Sequence, residues 1–569
     1  MKNRSIKINI LVLFALSIFV FSSCKKINLD STSSNINTNV FVSPIVVQFQ
    51  NANLTSPNQV PGGNNGFPVT ISGSGAQYVV ASDGSNVYRV SHGVLALALL
   101  STASPSANNP ITFNISGAAG NFAPVSQTIT ITDTGISSVV VKTVEFTHPV
   151  EGTGTFINRS HVNNGVSPGI ILKALPTASL SESATITIPV GTEFRDENNQ
   201  IIQTDSVTTL AIQYGTGTEA SLSAFPGGFN AQNILDRDRL PILGGGTFVT
   251  AGLMQINMVA KNGTQVKKFS SPIQLDMEIN ETLQNPTTGE NMKEGDTIPI
   301  WSLNEQSGQW QYENTVTIKK AISGKLYASF GVSHLSTWNM DFLYHNYINK
   351  SPNKMTVKFH LPQGVRVDNY TPELQYASNN QYISAMFNAT LYDGLITVMQ
   401  PVPNIPNTKL VVYDNQYNKV NATVNPSIFN PASVGTVDVT LTPPPSPDYI
   451  NLKLNIWGNC SNKNTNINLG TWVYFWPSEG NYNWNDLKLC YIATNGWSYN
   501  NPVRLKANTN YNCATWYGGA WNSNIIQVRK QNYTFPSYTS DGVTITGSGI
   551  YSSQSNTLTI NCSFKVRCN

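Results

Sequence analysis

The residues of this chain that could do chemistry are few. Within GVSHLSTWNMD, Gly331 to Asp341, the triplet His334-Leu335-Ser336 brings an imidazole and a hydroxyl together at the end of a β-rich segment. Such a triplet is either a place where a backbone cuts itself or the closing strand of a domain. No other catalytic constellation accompanies it. The six histidines are scattered without HExxH spacing, no GxSxG elbow is present, and glycine-rich stretches fall in strand-to-strand turns rather than ahead of a helix. A glycosidase's two acids can lie far apart in a chain, but Asp and Glu together number only 31 in 569 residues. We therefore expect no external turnover, no cofactor and no metal.

Cysteine and tryptophan cluster near the C-terminus. Cys460, Cys490, Cys513, Cys562 and Cys568 are candidate disulfide residues in an exported chain, and their odd number leaves at least one thiol free or paired elsewhere. Zinc is disfavoured, because there is no CxxC pair and the nearest histidine in sequence, His360, is far upstream. Seven of the ten tryptophans also lie in this last part. Trp472, Trp476, Trp516, Tyr517 and Trp521 are candidate ligand-binding aromatics, since exposed indole and phenol rings stack well on sugars or on partner proteins. In GTWVYFW, Trp472, Tyr474 and Trp476 share one strand face and Val473 and Phe475 the other. Both faces are apolar, so one of them meets a neighbouring domain or is available for binding.

The elements that must position these residues are β-strands. Only 11% of residues are charged, Ser, Thr, Asn and Gly abound, and long periodic helices are missing. A net charge of +3 and the lack of a basic stripe argue against nucleic acid. At the start, Lys2, Arg4 and Lys7 precede an apolar run from Ile8 to Phe21, the form of a secretory leader. Its exit, Phe21-Ser22-Ser23-Cys24, resembles the lipobox of bacterial lipoproteins, which implies acylation of Cys24 (a palmitate-type anchor) and attachment to the membrane.

The organisation expected is a signal peptide over 1–23, a lipidated tether over 24–39, a β-sandwich over 40–147, a β-module region over 148–345 and a second sandwich over 346–442. A proline linker over 443–447 then leads to a Trp-rich, Cys-containing β-domain over 448–569. Ala231 to Pro241, AQNILDRDRLP, is the likeliest short helix in the module region. Its Asp236 and Asp238 are interrupted by Arg237 and followed by Arg239, a solvated charge cluster rather than a calcium loop.

The stretch from Gly246 to Asp341 resembles a β-module of Bacteroidota lipoproteins, astroprincin and cartilage intermediate layer protein. The matching residues are Pro272, Ile273, Ile298 to Trp301, Gly308, Trp310, His334, Ser336, Trp338, Asn339 and Asp341. Within it, His334-Leu335-Ser336 also resembles the cleavage triplet of GAIN domains. That resemblance implies Ser336 as nucleophile, the Leu335 carbonyl as target and His334 as base. The cysteines that accompany the GAIN motif are missing, and the closing-strand reading is the one we adopt.

The fold expected is all-β, a row of Ig-like sandwiches behind a lipoprotein leader and flexible tether, carrying the terminal domain away from the membrane. The function expected is binding or adhesion to a glycan or surface protein, lipid-anchored at the outer membrane or cell surface, without turnover. Alternatives are a structural envelope lipoprotein or a polysaccharide-acting hydrolase accessory.

Overall fold

A computed structural model describes residues 41–345 apart from 83 and 136, residues 353–442 apart from 363 and 364, and residues 449–566 apart from 461, 463–465, 468–470, 479–487, 494, 499–502, 518–519 and 541–542. The signal peptide, the tether with Cys24, the proline linker and Cys568 lie outside the described residues.

The chain is all-β and builds tandem β-sandwiches. In the first, Phe41–Asn51 lies between Val94–Leu100, antiparallel to it, and Ser137–Thr143, parallel to it. Its inward residues, Ile45, Val47 and Phe49, meet Phe113 and Ile115 of the facing sheet. The second sandwich pairs a six-stranded sheet, centred on Lys268–Glu278, with an eight-stranded one containing Gly246–Ala260 and Thr337–His345. Leu275, Val332, Met254 and Trp338 fill the space between them. The third packs a sheet around Met355–His360 against one around Arg366–Tyr376. The fourth packs Tyr449–Cys460, Thr557–Val566 and their neighbours against Thr471–Pro477, Lys488–Ile492, Thr509–Tyr517 and Ala520–Val528.

The α-helix in this list of elements is the single turn Glu219–Leu222, capped by Thr218, whose hydroxyl accepts from the Ser221 amide at 3.2 Å. The helix expected over Ala231 to Pro241 is instead a tight hairpin. The Asp236 carboxylate accepts from the amides of Asp238 and Leu240, Arg239 sits at φ 63°, and Leu235 bridges Pro241. An Asp that closes a turn on its own backbone outcompetes a short helix.

The sandwiches do not form a row. The outer-face residues Val46 and Val94 of the first pack against Trp472 and Tyr474 of the fourth, with Trp476, Leu489 and Tyr491 around them. The first and second join where Asn114 donates to the Glu305 and Gln306 carbonyls at 3.2 Å, and the first and third where Tyr417 donates to the Ala52 carbonyl at 2.8 Å. At the contact between first and second, Gly308 has φ 66°, and a Cβ there would lie 2.4 Å from the Asn114 side-chain oxygen. The expectation of a terminal domain held far from its anchor is corrected accordingly: apolar outer faces at both ends of the chain bury each other.

Candidate binding face and the His334 crossover

The terminal sandwich separates its aromatic residues by strand alternation. Along Tyr449–Cys460, Ile450, Leu452 and Leu454 enter the core, so Lys453, Asn455 and Trp457 fall on the outer face. Thr557–Val566 runs parallel beside it and sets Asn561 next to Asn455 and Ser563 next to Trp457. Val543–Ser552 adds Ser548 beside Asn561 and Thr546 beside Ser563. On the opposite flank Trp497 bridges Asn455, held by Ile456 N–H donating to the Gly496 carbonyl at 2.7 Å and Ser498 N–H to the Leu454 carbonyl at 2.8 Å. Gly496 is required there: its φ is 84°, and a Cβ would lie 2.7 Å from the Ile456 carbonyl oxygen.

The outer face therefore carries two adjoining rows, Trp497, Asn455, Asn561, Ser548 and Trp457, Ser563, Thr546. Trp457 is 38% and Trp497 44% exposed, against 6% for Trp472. Diagonal neighbours on a sheet stand about 7–8 Å apart, a span over which two indoles can stack on successive rings of one extended ligand. Between them Asn455 Nδ2 donates to Asn561 Oδ1 at 3.0 Å, and the Thr546 and Ser563 hydroxyls bond each other at 2.8 Å. The remaining amide atoms of this Asn pair face outward as one acceptor and one donor.

The expected aromatics are distributed otherwise. Trp472 is buried and Trp476 half-buried in the contact with the first sandwich, where Trp472 meets Tyr491 edge-on at 5.3 Å. These two are packing residues of a docked sheet, a correction to their place among ligand-binding aromatics. Trp516 and Trp521 face each other across the hairpin of Thr509–Tyr517 and Ala520–Val528, with Tyr517 opposite Ala520. The two tryptophans of the outer face escaped the sequence reading, although Ile450, Leu452 and Leu454 give the parity that turns Trp457 outward.

Cys490, Cys513 and Cys562 are free thiols, which corrects their expected use in disulfides. Cys490 and Cys513 flank the central strand Thr471–Pro477, opposite Val473 and Phe475. Two sheet spacings, about 9.5 Å, separate such positions, beyond the roughly 7 Å limit for a disulfide. Burial pushes the Cys490 and Cys513 thiols up to about 12 and raises Cys562 as well, so all three are poor nucleophiles. Cys460 is not a free thiol.

The His334 triplet sits where the chain leaves Leu326–His334 in one sheet and enters Thr337–His345 in the other. Leu335 N–H donates to the Lys267 carbonyl at 2.9 Å, and the buried Ser336 hydroxyl donates to the Leu303 carbonyl. The His334 imidazole stands 3.5 Å from Glu313, which also accepts from Ser302 at 2.6 Å and Gln311 at 2.8 Å. Burial works against ionisation of Glu313, but bonds from His334, Ser302 and Gln311 outweigh it and hold the carboxyl at about 2. Imidazole and hydroxyl are thus committed to different strands, the arrangement of a sheet-to-sheet crossover. Downstream, Trp338 packs in the core, and the Asp341 carbonyl accepts from Trp301 Nε1 at 3.0 Å. Among the described residues, no group of three or more metal-ligating side chains comes together.

No family model and no curated protein matches the chain. Among solved structures, a C-terminal fragment of the pilus adhesin SpaC from Lactobacillus rhamnosus GG matches at 12% identity over 38% of this chain and 99% of its own, with a TM-score of 0.16. The longer SpaC structure matches at 11% over 73% of this chain and 56% of its own, with a TM-score of 0.15. BcpA, the major pilin subunit of Bacillus cereus, matches at 8% over 93% of this chain and 99% of its own, with a TM-score of 0.12. TM-scores this low establish neither a common architecture nor a common role.

Proposed function

We propose that this chain is an exported, lipid-anchored surface protein that binds a glycan on the outer face of its terminal sandwich and performs no turnover. The observation that carries this reading is the pair of exposed indoles, Trp457 and Trp497, set around amides and hydroxyls on one face. Flat aromatic platforms interrupted by hydrogen-bonding groups match the alternating apolar and hydroxylated surfaces of sugars. The terminal sandwich docks on the first through the sheet containing Trp472, and it presents the sheet opposite that one. The lipobox-like leader supplies the anchor through Cys24.

Retention of the exported full chain on a panel of polysaccharides tests the reading. Trp457→Ala and Trp497→Ala should each weaken retention about tenfold or more, the loss of an aromatic anchor worth about 1.4 kcal/mol or above. Retention unchanged in the double variant would exclude this face. A chain that binds no glycan would favour the structural envelope reading, and release of oligosaccharide would favour a hydrolase. Labelled fatty acid should enter the wild type and fail to enter Cys24→Ala.

A further inference from the structure

The first three sandwiches meet around a group of acids that the binding face does not use. Glu219 lies in the single helical turn of the second sandwich, and Glu373 lies on Arg366–Tyr376 of the third. Both are more than nine-tenths buried, and neither Glu219 oxygen nor Glu373 Oε2 has a hydrogen-bond partner among the described residues. Glu373 Oε1 accepts from Gln375 Nε2 at 2.8 Å, and the same nitrogen donates to the Tyr413 hydroxyl at 2.9 Å. Tyr382, fully enclosed, lies within the field of Glu373, Asp341 and Glu219. Next to these groups is a cavity of about 420 Å³ whose walls come from all three sandwiches, including Lys142 of the first, Phe225 of the second and Phe387 of the third.

The charges facing the pair are unevenly placed. Lys142 of the first sandwich attracts Glu219, and Asp414 of the third repels it. Lys142 is itself shared, donating to Ser223 at 3.3 Å and lying 4.2 Å over the Tyr417 ring. Glu373 faces Glu219 and no cation that offsets it. An ionised carboxylate buried without a counter-charge costs several kcal/mol, and a second in the same enclosure adds repulsion. Burial accordingly raises Glu219 above the usual carboxylate range and, helped by Glu219, pushes Glu373 up to about 8.

We propose that this junction is a proton-dependent lock: the second and third sandwiches stay docked while Glu219 and Glu373 carry protons, and part when the pair ionises. Parting would open the adjoining cavity and let water reach Tyr382 and the Phe225 to Phe229 stretch that Tyr382 now covers. The proposal is independent of what the terminal sandwich binds.

Hydrogen exchange of the exported full chain, corrected at each pH for intrinsic rate, tests it. Exchange over 219–229 and 382–387 should rise about tenfold or more between about pH 6 and about pH 9.5, while 557–566 in the terminal sandwich keeps its protection. Glu219→Gln combined with Glu373→Gln should remove the rise. Should that double variant fail to fold, Lys142→Met provides a second criterion. It removes the cation that favours ionised Glu219 and should move the midpoint upward. Protection independent of pH in the wild type, a rise that survives the double substitution, or a midpoint unmoved by Lys142→Met would overturn the lock.

Discussion

At the scale of single residues, the polar groups divide into those held by neighbours and those merely enclosed. Glu313 belongs to the first kind. Its folded pKa of about 2 lies below the ordinary 4.5, so the stability it contributes is complete above about pH 4.5 and is lost as pH falls toward 2. Glu313→Gln should therefore destabilise the protein at neutral pH and flatten the acid limb of its stability profile, measured by denaturant melts across pH. An unchanged acid limb would show that His334 and Ser302 do not hold a carboxylate. Because the Ser336 hydroxyl is spent on the Leu303 carbonyl, the full chain should run as one band on a denaturing gel, in wild type and in Ser336→Ala alike. The cysteines follow the same logic. Cys460 ends its strand opposite Val566, and Cys568 follows two positions later in the sequence. Peptide mapping without reductant is expected to join Cys460 to Cys568 and to find Cys490, Cys513 and Cys562 alkylated only after unfolding. A crosslink involving any of those three would contradict the strand separation.

At the scale of elements, one strand of the terminal sandwich shows two kinds of burial side by side. Phe475 points into the core between the sheets, and Trp472 points the other way onto the first sandwich. Phe475→Ala should cost about 3–5 kcal/mol in the unfolding of the terminal sandwich. Trp457→Ala, on an exposed position, should change stability by no more than about 0.5 kcal/mol. Thermal melts of the two variants separate a core ring from a binding ring, and equal losses would refute the assignment of faces. The alternation in GTWVYFW was enough to divide these side chains into two faces from sequence, because a two-residue period is a local property. Which face met a neighbour was not legible, since it depends on Val46 and Val94, hundreds of residues away. Trp457 could have been placed outward from the Ile450, Leu452, Leu454 alternation. Trp497 could not, because its face is set by a bridge to Asn455 that no local pattern announces. The hairpin at Asp236 misled for the converse reason: its apolar spacing is helical, but a side-chain acceptor aimed at its own backbone decided the outcome.

At the scale of the whole molecule, the all-β character was plain in the composition, while the fold-back of the fourth sandwich onto the first was not, being a matter of apolar outer faces that look alike in sequence. That contact is small and apolar, so a charge should undo it. Val46→Arg should expose Trp472, shifting its fluorescence to the red and enlarging the particle in small-angle scattering, with each sandwich still folded. Unchanged scattering would mean that the contact does not hold the fourth sandwich in place. With the contact intact, a pull on a ligand held at Trp457 and Trp497 has two routes back to the N-terminus. One runs through the whole chain, and the other runs straight from the terminal sandwich into the first. The shorter route is stiffer and takes the strain first. The second and third sandwiches are thus slack under a weak tug and are stretched only after Trp472 has torn free of Val46, so the protein would lengthen in steps, beginning at the joint between its two ends.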